Sequence, residues 1–275
     1  MKKTSQSTAR LNNGVEIPYL GLGTWLSTGE QCVHAVQFAL THGYNHIDTA
    51  REYGNEQQVG KGWKASGRPR SEIFITTKIR NIYQGYESSI NSFKDSLQDL
   101  QTDYADLLLI HWPNMDNFKR TVETWQALID LQGEGHCRSI GVSNFTIPLI
   151  ERLLEEISVV PAINQVEFHT FLYQKELLIY CQEEGIQLEA YSPIARARFL
   201  DNDVLQRMAK KYGKSPAQIM LAWCVNHDIV VIPKSIHENR ILENKDIFFD
   251  ISDEDMAMLD NLDFETRLVR GGPFV

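Results

Sequence analysis

Two rhythms of apolar residues alternate along this chain. Short runs rich in β-branched residues predict strands at Tyr44–Asp48, Ile73–Thr77, Leu107–Ile110, Ser139–Val142, Ile163–Val166, Gln187–Ala190, Ile229–Ile232 and, most weakly patterned, Ile247–Phe249. Between them lie longer stretches whose apolar residues return every three or four positions, the spacing of one helix face. Glu30–Thr41 carries Val33, Val36, Phe38 and Leu40, and Tyr86–Leu100 carries Ile90, Phe93, Leu97 and Leu100. Thr121–Leu131, Pro148–Glu156, Gln174–Glu184, Asp203–Tyr212, Ser215–His227 and Ser252–Leu262 read the same way. Ser215-Pro216 reads as an N-cap followed by proline at the first helical position. Ser252 has the same role, with Asp255 three residues on as in a capping box.

Strand alternating with helix, eight times, predicts a parallel sheet covered by helices. The expected fold is α/β: a single (β/α)8 TIM barrel forming one domain over residues 1–275, a length that suits it. The rival is an open doubly wound sheet, whose nucleotide-binding form shows Gly-x-Gly-x-x-Gly after its first strand. The candidate pairs Gly21/Gly23 and Gly60/Gly62 lack the third glycine, since Leu26 and Ala65 stand there. Leu11–Trp25 reads instead as a hairpin turning at Asn13-Gly14, placed to close the barrel's bottom.

Charge and composition narrow the function. A formal charge of −9 and a pI near 5.4 exclude nucleic acid as a main partner. Cys32, Cys137, Cys181 and Cys224 form no zinc spacing, so no metal is expected; they read as ordinary thiols of a reducing compartment. No apolar run approaches the roughly 18–20 residues of a membrane span, and Met1–Arg10 lacks the apolar core of a secretory signal. A cytoplasmic monomer with a small-molecule partner is expected.

Catalytic groups of a barrel collect at the C-terminal ends of its strands. Those positions here hold Asp48 with Tyr53 close behind, Lys78, His111-Trp112-Pro113, Ser143-Asn144, Gln165, Tyr191-Ser192 and Pro233-Lys234-Ser235. A phenol is too weak an acid for efficient donation at neutral pH, and an adjacent ammonium is expected to lower its pKa. An aspartate beside the lysine would hold it charged and oriented, and a histidine can orient a carbonyl. Together these make a general acid with its tuning shell. Taken singly, each has a plainer reading: Tyr53 as a packed rim residue, Lys78 as solvated, His111 as a core hydrogen-bonder, Asp48 as a helix cap, Ser143-Asn144 as a turn. The other histidines, and Glu183-Glu184, read as structural.

The motifs in order are Gly21-Leu22-Gly23-Thr24-Trp25, Asp48-Thr49-Ala50-Arg51-Glu52-Tyr53-Gly54-Asn55-Glu56, Ile75-Thr76-Thr77-Lys78 and Leu109-Ile110-His111-Trp112-Pro113. Gly141-Val142-Ser143-Asn144-Phe145, Asn164-Gln165-Val166-Glu167, Tyr191-Ser192-Pro193 and Ile232-Pro233-Lys234-Ser235 complete the set. On these the chain resembles the aldo-keto reductase family over almost its whole length. The resemblance implies reduction of aldehydes and ketones by NADPH, with a tetrad of Asp48, Tyr53, Lys78 and His111. It implies that Ser143, Asn144 and Gln165 bind the nicotinamide carboxamide, with Tyr191 stacked on the ring and Ser192 beside it. It also implies that Lys234, Ser235 and Arg240 hold the 2′-phosphate, and that Glu243 and Asn244 contact the adenine. Trp25, Glu52, Arg80 and Trp112 would form the substrate pocket, Arg80 and Glu52 meeting either the substrate or each other. The polar pair favours small polar carbonyls: α-dicarbonyls, keto acids or keto sugars.

Three features depart from the family. Ser192-Pro193-Ile194-Ala195-Arg196-Ala197-Arg198 lacks the glycine common in the loop over the pyrophosphate, Ile79-Arg80 replaces Leu-Trp, and the Arg267–Val275 tail is short, suggesting an open pocket. Two other functions compete. One is a barrel aldolase with Lys78 or Lys234 as Schiff-base nucleophile; the other is a non-enzymatic NADPH-binding subunit.

Overall fold

The computed structural model describes residues 3–269. An antiparallel hairpin comes first, β1 (Thr8–Arg10) and β2 (Glu16–Pro18), with Gly14 at φ 86° in the turn between them. Asn12 and Asn13 donate from that turn to the carbonyls of Pro161 and Arg138, at the N-terminal ends of two barrel strands. Its apolar residues Ala9, Leu11, Ile17 and Tyr19 pack with Phe74, Leu107, Leu109, Ile163 and Val230, so the hairpin closes the bottom as expected.

Eight parallel strands follow: β3 (Leu22–Gly23), β4 (His46–Asp48), β5 (Phe74–Ile79), β6 (Ala105–Ile110), β7 (Cys137–Ser143), β8 (Ile163–Glu167), β9 (Gln187–Tyr191) and β10 (Val230–Val231). Each pairs with the next in chain order. The ring closes between last and first: Val231 N–H donates to Tyr19 O at 2.8 Å, Gly21 N–H to Val231 O at 2.9 Å, and Gly23 N–H to Pro233 O at 3.2 Å.

The first barrel strand is therefore Leu22–Gly23, which the sequence reading had placed in the hairpin. The run Ile247–Phe249 is no strand at all. Ile247 is fully buried, and the Phe249 carbonyl accepts from Asn226 Nδ2 at 3.1 Å. The apolar run marked burial, and with its backbone bonded to a side chain it needs no ladder.

The helices are α1 (Gly29–Thr41), α2 (Glu56–Ala65), α3 (Tyr86–Leu100), α4 (Phe118–Gly133), α5 (Ile147–Glu156), α6 (Lys175–Glu183), α7 (Asp203–Tyr212), α8 (Pro216–Asn226), α9 (Glu238–Glu243) and α10 (Asp253–Asp260). The helix α2 has no counterpart in the sequence reading, because Gly60 and Gly62 weaken its helical signal. A Cβ on Gly60 would lie 2.6 Å from the Asp99 carbonyl, and one on Gly62 2.8 Å from that of Val33. Both glycines let α2 lie against its neighbours. Ser215 forms a full capping box with Gln218. Ser252 caps only one way: its Oγ accepts from Asp255 N–H, but its own N–H donates to the Tyr212 hydroxyl. The Asp255 carboxylate is taken by Lys211, Tyr212 and the Ser252 hydroxyl. All four cysteines are buried and unpaired. No helix among the described residues is long and apolar enough to cross a membrane.

Candidate active site

The C-terminal ends of β4 to β9 converge on one cavity of about 860 Å³. Asp48 closes β4 and Lys78 lies within β5, both almost wholly buried. Lys78 Nζ donates to Asp48 Oδ1 and Oδ2 at 2.7 and 2.8 Å and to Thr49 O at 2.9 Å. An ammonium has three protons, so the contact with the Tyr53 hydroxyl is the longest, at 3.4 Å. Tyr53 reaches this point from a short 3₁₀ turn, Arg51–Tyr53, which Gly54 ends in the left-handed region at φ 63°. His111 stands edge-on to it, with ring centroids 5.6 Å apart.

The electrostatics differ from the expectation in one respect. Burial raises the Tyr53 pKa, and Asp48 and Glu189 add to this; Lys78 pulls it down without winning. The reason is the ion pair itself, since the aspartate that orients Lys78 also cancels much of its field. Burial alone would depress Lys78, but Asp48 and Tyr53 hold it above its ordinary value. For Asp48, burial pushes upward against Lys78 and Gln165. His111 is held well below its ordinary pKa by burial, with Lys78 and Arg80 adding to it. At neutral pH the site thus presents a phenol, an ammonium–carboxylate pair and a neutral imidazole.

A second wall comes from β7, β8 and β9. Asn144, at φ 64°, donates from Nδ2 to His111 O and Ser143 Oγ, both at 3.0 Å, and accepts from the Tyr191 hydroxyl at 2.7 Å. Asparagine tolerates this backbone region better than most residues. Ser143 Oγ donates to Gln165 O at 2.8 Å. Gln165 Nε2 donates to Asp48 Oδ2 and to Glu189 Oε2, each at 2.8 Å. Both amide protons are used, which leaves the Gln165 carbonyl oxygen as the acceptor facing the cavity.

A match to the aldo/keto reductase family model spans residues 19–263. The chain is 48% identical to glyoxal reductase of Bacillus subtilis over 98% of this chain and 97% of that one. It is 41% identical to methylglyoxal reductase of Escherichia coli over 94% of each. The solved aldo-keto reductase of Bombyx mori, in complex with NADP, superposes with a TM-score of 0.90 at 34% identity, over 98% of this chain and 96% of that one. This chain belongs to the aldo/keto reductase family.

In this aldo/keto reductase the cavity is lined by Asp48, Tyr53 and His111, by Ser143, Asn144, Gln165, Tyr191 and Ser192, and by Lys234, Ser235 and Arg240. Trp25, Glu52, Arg80 and Trp112 line it too. Lys78 stands behind Tyr53 and does not reach the cavity wall. Glu243 and Asn244 are not brought to it: Asn244 is buried, and the main-chain carbonyl of Glu243 serves Gln218 Nε2. Arg80 and Glu52 are ion-paired through Nε and Oε2, each about two-fifths exposed at the mouth.

Several lining residues went unrecognised in the sequence. Leu26 and Ile82 add exposed apolar surface beside Trp25. The Arg196 guanidinium lies 4.7 Å from the Trp25 ring centroid, joining the 192–198 loop to the loop after β3. Asn55 donates to the carbonyls of Thr24 and Ser27 and so fixes that second loop; its place in the Asp48–Glu56 motif was its signal. Val269 lines the cavity because Glu167 accepts from the main-chain N–H groups of Leu268 and Val269 at 2.9 and 3.0 Å. The rest of the short tail, residues 270–275, lies outside the described residues. Glu189 is the largest omission; it is wholly buried in the barrel beneath Gln165.

Proposed function

We propose that this protein reduces small polar carbonyl compounds, such as α-dicarbonyls, keto acids or keto sugars, to alcohols with NADPH, with Tyr53 as proton donor. The observation that carries it is the Tyr53 hydroxyl, held as a phenol at the cavity floor 3.4 Å from Lys78 Nζ. The names of its relatives, glyoxal and methylglyoxal reductase, support the substrate class.

The residues fit the cofactor. Gln165 and Asn144 line the cavity with side-chain oxygens able to accept from a carboxamide nitrogen, and Lys234 and Arg240 are exposed cations on the same cavity wall, suited to a phosphate monoester. Bound NADPH would supply the hydride to the carbonyl carbon. The chain does the rest. Tyr53 gives its proton to the oxygen as negative charge develops there. Lys78, kept in place by Asp48 and Thr49, stabilises the phenolate left behind. The His111 Nδ1 is buried without a partner, so its other nitrogen is the one free to meet the carbonyl oxygen. Trp25 and Trp112 supply apolar walls.

Lys78 is a poor Schiff-base nucleophile, since Asp48 holds it as an ammonium. That disfavours an aldolase built on this lysine.

The test is NADPH-oxidation kinetics over a panel of α-dicarbonyls, keto acids and keto sugars. Tyr53→Phe should lower kcat about 100-fold or more while leaving NADPH binding intact. Near wild-type turnover in that variant would sink the mechanism. Wild type should bind NADPH more tightly than NADH, and Arg240→Ala should lose about tenfold of that preference. Equal dissociation constants for the two cofactors in wild type would refute the phosphate assignment.

A further inference from the structure

Beneath the catalytic residues lies a second carboxylate with no assigned role. Glu189, on β9, is fully buried. Its Oε2 accepts from Gln165 Nε2 at 2.8 Å, and its Oε1 has no partner. The same Gln165 nitrogen donates to Asp48 Oδ2 at 2.8 Å, so the two carboxylates are within two hydrogen-bond lengths of each other. The other groups facing Glu189 are few. From β4, His46 Nε2 is 3.7 Å from Oε1 and bonds to Thr76 Oγ1 of β5 at 3.0 Å. From β5, Lys78 interacts across the barrel, and Tyr53 lies beyond it. The flanking strand β10 offers only Val230 in register.

That arrangement has two consequences. The first is orientational. Rotating the Gln165 amide by half a turn would set its carbonyl oxygen against the Asp48 carboxylate and against Glu189 Oε2, the bare oxygen of the acid when its proton sits on Oε1, so the two together keep the nitrogen inward and the oxygen toward the cavity. The second is electrostatic. One lysine cannot neutralise two carboxylates, and Asp48 already holds Lys78. A buried charge without its own counter-ion is strongly disfavoured. His46 gives no help, because burial, with Lys78 adding to it, lowers its pKa to about 3 and leaves it neutral.

We propose that Glu189 is a positioning residue that acts as a neutral acid: it locks the Gln165 amide with its carbonyl toward the cavity, and its ionisation weakens carbonyl reduction. Burial, with Asp48 adding to it, raises the Glu189 pKa to about 8. Below that value the floor carries one ion pair and no net charge. Above it, a new negative charge raises the pKa of Tyr53, making the phenol a poorer donor. Carbonyl reduction therefore falls as pH rises through about 8.

The inference rests on the proposed function for its kinetic and NADPH-binding arms. Glu189→Gln keeps an acceptor for Gln165 and cannot ionise. The proposal expects the wild-type kcat/KM for reduction to fall through pH about 8 while Glu189→Gln stays level there. Superimposable profiles would overturn the kinetic arm. A measurement without turnover tests Glu189 itself. A group whose pKa is raised on folding stabilises the fold at low pH, and that stability is lost as pH rises toward the folded value. The wild-type Tm should thus fall relative to Glu189→Gln between the ordinary carboxylate range and about pH 8. Parallel Tm curves would show that Glu189 is ionised throughout and defeat the proposal, whatever Tyr53→Phe does. Glu189→Leu, which removes the lock, should weaken NADPH binding about tenfold, the scale of one unmade buried hydrogen bond. If Glu189→Leu does not fold, the Glu189→Gln comparisons decide the question alone.

Discussion

Lys78 shows how strongly a buried charge constrains its neighbours. Its three protons go to Asp48, Asp48 and Thr49, and Tyr53 receives only the long fourth contact. Burial raises the tyrosine's pKa, and Lys78, acting as one end of a dipole rather than as a free cation, does not offset that rise. Arg80 makes the contrasting case. Its pair with Glu52 is open to solvent, the setting in which ion pairs contribute about 0–1 kcal/mol. A guanidinium held that loosely can exchange Glu52 for a substrate carboxylate, which it grips in a two-pronged fork. Arg80→Ala should therefore lower kcat/KM for a carboxylate-bearing aldehyde roughly fivefold more than for its neutral analogue, the equivalent of about 1 kcal/mol. Equal losses for both substrates would reduce Arg80 and Glu52 to a rim salt bridge.

The loop after β9 holds the densest run of left-handed backbone among the described residues. Ser192, Ala195, Arg196 and Ala197 all hold φ between 48° and 61°, a region in which a side chain collides with its own backbone. The usual glycine is absent, yet the loop still turns over the cavity, with Arg196 resting on Trp25. Ala197 is exposed, so replacing it with glycine relieves backbone crowding without opening a hole. Relief of about 1 kcal/mol is partly offset by the greater freedom of glycine in the unfolded chain. Ala197→Gly should raise Tm by about 1–2 °C, as expected for a net gain near 0.5 kcal/mol in a protein of this size. A lower Tm in calorimetry would show that the left-handed turn carries no strain. Helix α2 teaches the converse: its glycines read as breaks in sequence and prove to be contact points.

At the scale of the molecule, the alternating rhythm determined the parallel barrel, because short continuous apolar runs and stretches of period 3.6 are written in the spacing of apolar residues. The sequence also located the polar residues gathered at the cavity: Asp48, Lys78, His111, Ser143 and Tyr191 each follow or end an apolar run, and Gln165 lies one residue before the end of its own. Three things were left to the tertiary structure. Barrel closure falls to Leu22–Gly23, a strand too short to show a period, fixed by the Gly23 bond to Pro233 and by the bonds of Tyr19 and Gly21 just before it to Val231. The partnership of Arg80 with Glu52, and the absence of Glu243 and Asn244 from the cavity, depend on how loops pack, and no spacing rule reaches across them. Glu189 sits mid-strand between Leu188 and Ala190, where sequence gives no sign whether a polar side chain faces solvent or the barrel interior. Only closing the ring turns it inward beneath Gln165, because a strand's two faces become inside and outside once the sheet has curled shut.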